Sequence, residues 1–270
     1  MSKEIAKEST EKEMSFLDHL EELRWHLIRA IGAILLVAIT LFCFKTFVFE
    51  DIIFAPKHDD FFTYRFICGL SDFMCFGPPK LDLITRDLGE QFFVHIKVSI
   101  WLGFIVSSPI VFYEIWRFIK PGLYKEEKNA ARGLVFACTF LFLLGVLFGY
   151  YVIAPFAITF LGSYQVGVDA INSPTLSSFV HYMTMFTLPT GFVFELPILV
   201  YFLSRVGLVT PEYMKQYRKH AIIIILLLAA VITPPDVLTQ FLIGIPIFIL
   251  YEISIVIAKR TRFKYFPDEA

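Results

Sequence analysis

Two features of this 270-residue sequence have residue types and surroundings that could do chemistry. The segment Arg117-Phe-Ile-Lys-Pro-Gly-Leu-Tyr-Lys-Glu-Glu-Lys128 places charge, Pro121 and Gly122 between two long apolar runs. Pro121 ends the preceding helix and Gly122 permits a turn, so Tyr124, Glu126 and Glu127 are presented in water beside a membrane surface. Carboxylates shown in this way accept hydrogen bonds and ion pairs; the plain alternative is a reverse turn with solvated charges. The second feature is Glu195, the one carboxylate of a long apolar run over residues 179–204. It lies about ten residues from the end of that run, hence about 15 Å deep at the helical rise. An ionisable group at that depth costs on the order of 2.5 to 3.5 kcal/mol on insertion scales, so it must face a partner or a wet recess, or carry its proton. A functional role and a structural hydrogen bond to a neighbouring helix both meet that requirement.

Other chemistry finds no support. There is no Gly-x-Ser-x-Gly, no His-Glu-x-x-His and no group of carboxylates and histidine at one depth, so no nucleophile, metal or cofactor site is expected and the chain does not read as an enzyme. His19 and His26 are seven apart without a third ligand and read as interfacial side chains. Glu114, Arg117 and Glu252 lie near the same membrane surface, where snorkelling and helix-end pairing account for them.

These residues need a scaffold, and composition gives its class. Hydrophobic residues make up 57%, aromatic residues 17%, and there are 31 Phe; mean hydropathy is +0.67. Apolar runs of roughly 18 or more residues recur, the length that crosses about 30 Å of hydrocarbon. The expected fold is all-α, a polytopic membrane protein. Net charge is -1, so no basic field argues for nucleic acid. Residues 1–14 read as a mobile polar tail with no removable signal peptide. At Ser15 a capping box with Asp18 opens an amphipathic helix that lies against the headgroups, with Asp18, Glu22, His26 and Arg29 on its polar side.

Six spans follow: about 25–47, 92–118 with a kink at Pro109 eased by Ser107 and Ser108, 130–153 ending at Pro155, 179–204 bent by Pro189 and Pro197, a short run 221–231, and 237–258 with Pro246 in its middle. The fifth reaches only about 20 Å, so the bilayer thins around the last hairpin or the helices sit in a recess. The membrane domain covers residues 15–258, with an external cap at 48–90 and cytoplasmic loops at 119–129 and 205–220; a basic tail covers 259–270. Lys and Arg gather in those two loops and that tail, which puts both termini in the cytoplasm. Cys68 and Cys75 then fall on the oxidising side, where a disulfide between them is expected, while Cys43 and Cys138 stay free. A secondary transporter is the alternative that Glu195 allows. The absence of a convincing internal repeat and the specialised loop argue against it.

Four segments in order, Phe16-Leu-Asp-His-Leu-Glu-Glu-Leu-Arg24, Trp116-Arg-Phe-Ile-Lys-Pro-Gly-Leu-Tyr-Lys-Glu-Glu127, Phe194-Glu-Leu-Pro197 and Thr233-Pro-Pro-Asp236, make the chain resemble the TatC family over about residues 16–258. TatC proteins are the multispanning core subunits of the twin-arginine protein translocase. The resemblance implies a curved, glove-shaped bundle of six helices in the cytoplasmic (inner) membrane. It implies TatA and TatB single-span partners, self-association in a larger complex, and export of folded proteins driven by the proton-motive force. It assigns binding of twin-arginine signal peptides to Glu22, Phe118 and Glu127, a chemistry suited to the planar donor fork of a guanidinium. It further places Glu195 on the concave face, Asp236 in the turn of the last hairpin, and partner helices beside the fifth span. The long, Cys-bearing external cap departs from many relatives and takes no role from them.

Overall fold

The structure is a computed structural model that describes residues 16–70, 75–119, 131–165, 167, 172–232 and 237–265. Glu127 and its neighbours in the 120–130 segment, the turn 233–236 with Asp236, and both chain ends at 1–15 and 266–270 lie outside the described residues. Within those described, the chain is all-α: α1 (Phe16–Cys43), α2 (Phe62–Leu70), α3 (Glu90–Ile119), α4 (Ala131–Phe148), α5 (Ala154–Ser163), α6 (Leu176–Val193), α7 (Leu196–Arg205), α8 (Pro211–Gln216), α9 (Arg218–Ile232) and α10 (Val237–Tyr265). Among the described residues, five stretches are long and apolar enough to cross a membrane: Leu20–Cys43, Glu90–Ile119, Gly133–Ser163, Leu176–Arg205 and Thr239–Phe263. The fifth expected span lies within α9, which has 15 residues, about 22 Å of helix.

Helices α3, α4, α6 and α10 carry the core. Val98, Trp101, Phe142, Met183, Phe186, Ile243 and Ile247 belong to one buried apolar cluster. Small residues set the closest approaches, as packing in lipid requires, since burying apolar surface there gives no advantage over lipid contact. A Cβ on Gly103 would lie 2.9 Å from the Ala38 Cβ, which is how α1 seats against α3, and one on Gly145 would lie 2.8 Å from Phe194. Helix α1 leans mainly on α3, and only 17% of its spanning window is buried. Its apolar surface is otherwise left for lipid.

Proline effects follow the sequence reading at Pro197 and depart from it at Pro155. The third span does not end at Pro155. A π-helical turn over Gly149–Ile153 leads into α5, with Pro155 in its first turn. A proline there leaves the Tyr151 carbonyl without its helical donor, and the Thr63 hydroxyl donates to that carbonyl instead. The helix therefore runs on to Ser163. The fourth span breaks at Phe194 and Glu195, just before Pro197 at the start of α7. Pro109 sits inside an unbroken α3; Ser107 reaches the Phe104 carbonyl at 3.4 Å, and the buried Ser108 hydroxyl has no partner among the described residues, so neither serine serves the carbonyl that Pro109 frees.

The loop expected at 205–220 is mostly helical. Gly207, at φ 79°, turns the chain after α7, and Thr210 caps α8 by accepting from the Tyr213 N–H at 3.2 Å. Likewise the basic tail begins inside α10, where Arg262 pairs with Glu212 of α8 at 2.6 Å; Lys and Arg are good helix formers and extend the last span into water. On the far side, Cys68 and Cys75 are joined by a disulfide with Cα atoms 4.2 Å apart, and Cys43 and Cys138 are free thiols. Glu90 ties the cap to α6: one carboxylate oxygen accepts from the Arg86 N–H at 2.7 Å and the other from the Ser177 N–H at 2.8 Å.

Candidate functional site

Helices α1 and α3 run antiparallel, so the start of α1 meets the end of α3. Glu22, His26 and Arg29 recur at four- and three-residue spacing and share one face of α1. That face meets Glu114, one turn before Phe118. The expectation that this polar side rests on headgroups is overturned: α1 continues from Phe16 to Cys43 without a break, and His26 is buried at 4% exposure against α3.

Glu114 is the hub. Its Oε2 lies 2.5 Å from Nδ1 of His26 and accepts from Nε of Arg29 at 3.1 Å, and the carboxylate is buried. Snorkelling does not describe it. A carboxylate that loses water to a helix interface needs donors in exchange, and two from α1 supply them. Glu252, by contrast, pairs with Arg218 at 2.7 Å across α9 and α10, a helix-end pair as expected of its position.

His26 also connects the two binding residues that the family resemblance nominates. Its Nε2 lies 3.9 Å from Oε1 of Glu22, and its ring meets Phe118 edge-on with centroids 6.2 Å apart. The structure thus brings Glu22 and Phe118 to one place, from residues 96 positions apart in the chain. The Glu22 side chain is one-third exposed, while its Oε2 is buried with no hydrogen-bond partner among the described residues. Arg29 is committed to Glu114 and not to Glu22. A part-exposed carboxylate beside an aromatic ring is suited to a guanidinium, which can fork onto the carboxylate and lie against the ring. Sequence reasoning missed Glu114 and the bridging role of His26. The signal was the shared face of Glu22, His26 and Arg29; its partner lay 88 positions away.

Glu195 is elsewhere, half-buried at the α6–α7 break. The Cys138 thiol of α4 interacts electrostatically with its carboxyl, and Oε1 of Glu195 is buried without a partner among the described residues, as is the Thr139 hydroxyl. No group of three or more His, Cys, Asp or Glu among the described residues could hold a metal ion.

With this geometry in place, likeness to known proteins can be stated. A family model described as "Sec-independent protein translocase protein (TatC)" matches residues 18–246. The chain is 38% identical over 253 residues to a Sec-independent protein translocase protein TatC of Blattabacterium sp. subsp. Periplaneta americana (strain BPLAN), covering 91% of this chain and 95% of that protein. It is 37% identical over 248 residues to the protein of that name from Aquifex aeolicus (strain VF5), with 91% and 95% covered. Among solved structures, a crystal structure of the twin arginine translocase receptor TatC superposes with a TM-score of 0.68 at 36% identity, covering 90% of this chain and 99% of that one.

Proposed function

Because this chain belongs to the TatC family of Sec-independent protein translocase proteins, we propose that it is the receptor core of a twin-arginine translocase and binds the paired arginines of signal peptides through Glu22, Phe118 and Glu127. The supporting observation is the meeting of the part-exposed Glu22 and Phe118 around His26. Membership of the family makes the chain a membrane protein of the protein-transport machinery, and its helices suit that setting.

In this reading the helices form six spans with both termini cytoplasmic, α9 and α10 making the short last hairpin and Asp236 lying in its turn. Binding takes place where α1 begins and α3 ends, at the cytoplasmic face. TatA and TatB partners of single-span type pack beside α9, copies of the chain associate in a larger complex, and the proton-motive force drives export of folded cargo. Glu195 supplies a polar contact at depth for a helix that approaches during transport. The test is co-purification of the full chain with a folded cargo whose signal peptide carries twin arginine. Retention of that cargo, and its loss when both arginines become alanine, is the expected result; equal retention of the two cargoes refutes the receptor reading.

A further inference from the structure

At the opposite ends of α1 and α3 from the Glu22 site lies a cavity of about 690 Å³, lined in part by Lys45, Glu50, Lys57, Asp82, Phe92 and His95. His95 is its most constrained member. The side chain is 9% exposed, its ring stacks on Phe42 with centroids 3.9 Å apart, and the Phe49 ring meets it edge-on at 5.4 Å. Its Nε2 is buried with no partner among the described residues. In the neutral ring with its proton on Nδ1, Nε2 is an acceptor. A buried acceptor without a donor is costly, so Nε2 calls for an N–H or O–H from a ligand.

The charged groups around it are of both signs. Glu50 and Asp82 add acceptors, Lys45 and Lys57 add cationic donors, and no ion pair joins these four among the described residues. Lys57 also lies 6.0 Å from the centroid of the Phe54 ring, which lines the cavity too. Such a wall complements a small zwitterion whose ammonium carries N–H groups and whose anion is a phosphate. Beside the cavity, Phe44, Phe47, Phe92 and Phe93 are exposed. They lie at the ends of two spanning helices, the level where aromatic side chains meet the membrane interface.

We propose that this cavity binds the headgroup of a phosphoethanolamine lipid, with its ammonium on His95 Nε2, Glu50 and Asp82 and its phosphate on Lys45 and Lys57. The acyl chains then run along the exposed phenylalanines. A soluble phosphoethanolamine ester presents the same polar groups without chains, and a choline headgroup presents the same charges without an N–H.

The experiment measures the thermal unfolding midpoint of the full chain in detergent. Additions are phosphatidylethanolamine, phosphatidylcholine with the same chains, or glycerophosphoethanolamine, for the wild type, His95→Leu, and the pair Lys45→Gln with Lys57→Gln. The ethanolamine lipid should raise the wild-type midpoint saturably and by more than the choline lipid. That difference should vanish in His95→Leu, the shift from either lipid should shrink in the lysine pair, and the soluble ester should give no shift. Equal shifts from the two lipids in the wild type, or a difference that survives in His95→Leu, overturn the site. A soluble ester that matches the lipid overturns the lipid assignment. Should His95→Leu fail to fold, the lysine pair decides, since its side chains are not in the core: an undiminished shift from the ethanolamine lipid there also overturns the proposal.

Discussion

Nδ1 of His26 lies 2.5 Å from Oε2 of Glu114, and this contact joins α1 to α3 at the end of the molecule that carries Glu22 and Phe118. Because Arg29 donates to the same oxygen at 3.1 Å, removing the carboxylate leaves two α1 donors facing a buried apolar gap. Breaking a buried pair from one side costs about 3 to 5 kcal/mol, so Glu114→Ala should lower the unfolding midpoint markedly. Glu114→Gln keeps an acceptor oxygen and should lie between. A thermal scan of the three purified proteins checks this; an Ala variant as stable as wild type removes the cluster from the account of how α1 is held.

The cap provides a covalent prediction. Closing a loop of about eight residues with a disulfide is worth about 2 to 3 kcal/mol in the chain-entropy model. Unreduced protein treated with an alkylating agent after denaturation should carry label on Cys43 and Cys138 and none on Cys68 or Cys75. The pair Cys68→Ser with Cys75→Ser should melt earlier than wild type. Label on both cap cysteines in freshly isolated membranes would contradict the bond.

Apolar runs made five long helices and the all-α class legible, because crossing hydrocarbon imposes a length that can be counted along the chain. What could not be counted was how neighbours repair a proline. Pro155 reads as a stop, yet a π-helical turn and the Thr63 hydroxyl, which donates to the Tyr151 carbonyl 88 residues later, let the helix continue. The site was half legible for the same reason. Glu22 and Phe118 could be named from motifs, but Glu114 looks like an ordinary interfacial acid until α1 is laid against α3. Glu127 and Asp236, also named from motifs, lie outside the described residues.

Glu195 gives a prediction that separates polarity from charge. It sits at the break between α6 and α7, makes no side-chain cap, and has one carboxyl oxygen buried without a partner among the described residues. An amide keeps that oxygen and adds a donor, whereas an alkyl side chain removes both. Glu195→Gln should therefore retain more export of a twin-arginine cargo than Glu195→Leu at matched expression. Equal, complete loss in the two variants shows that the carboxylate charge itself is needed.

Acid should loosen α8 before it touches the core. The Glu212 carboxylate is held below its ordinary value of 4.5, chiefly by hydrogen bonding to its own backbone N–H, and further by Arg262, Thr210 and Lys215. A depressed folded-state pKa stabilises the fold above the ordinary carboxylate value, and that contribution is lost as pH falls through the lower, folded value. Hydrogen exchange in α8 should therefore speed up relative to α9 as pH falls below about 4, after correction for intrinsic rates, and Glu212→Gln should abolish that change. The carboxylate is largely exposed, so the global midpoint should move little. Acid-independent protection of α8 in the wild type refutes this role.

The functional reading depends on Glu22 and Glu127 acting together on the paired arginines of a signal peptide. Glu22 is available for this, since Arg29 is engaged by Glu114 and the Glu22 side chain is one-third exposed. Charge-assisted hydrogen bonds contribute about 1.5 to 3 kcal/mol each, so losing either carboxylate should weaken binding roughly ten- to a hundredfold. Twin lysine should also bind less well, because an ammonium lacks the planar fork and stacks poorly on Phe118. Salt should weaken the arginine contacts more than those of the apolar part of the peptide. If these acids only held the surface together as exposed pairs, each would be worth under about 1 kcal/mol and peptide affinity would not follow them. Site-specific crosslinking of a twin-arginine peptide to solubilised protein, compared across wild type, Glu22→Gln, Glu127→Gln, the double variant and Phe118→Leu, distinguishes the two accounts. Unchanged affinity in a double variant with a wild-type melting curve takes both carboxylates out of the site.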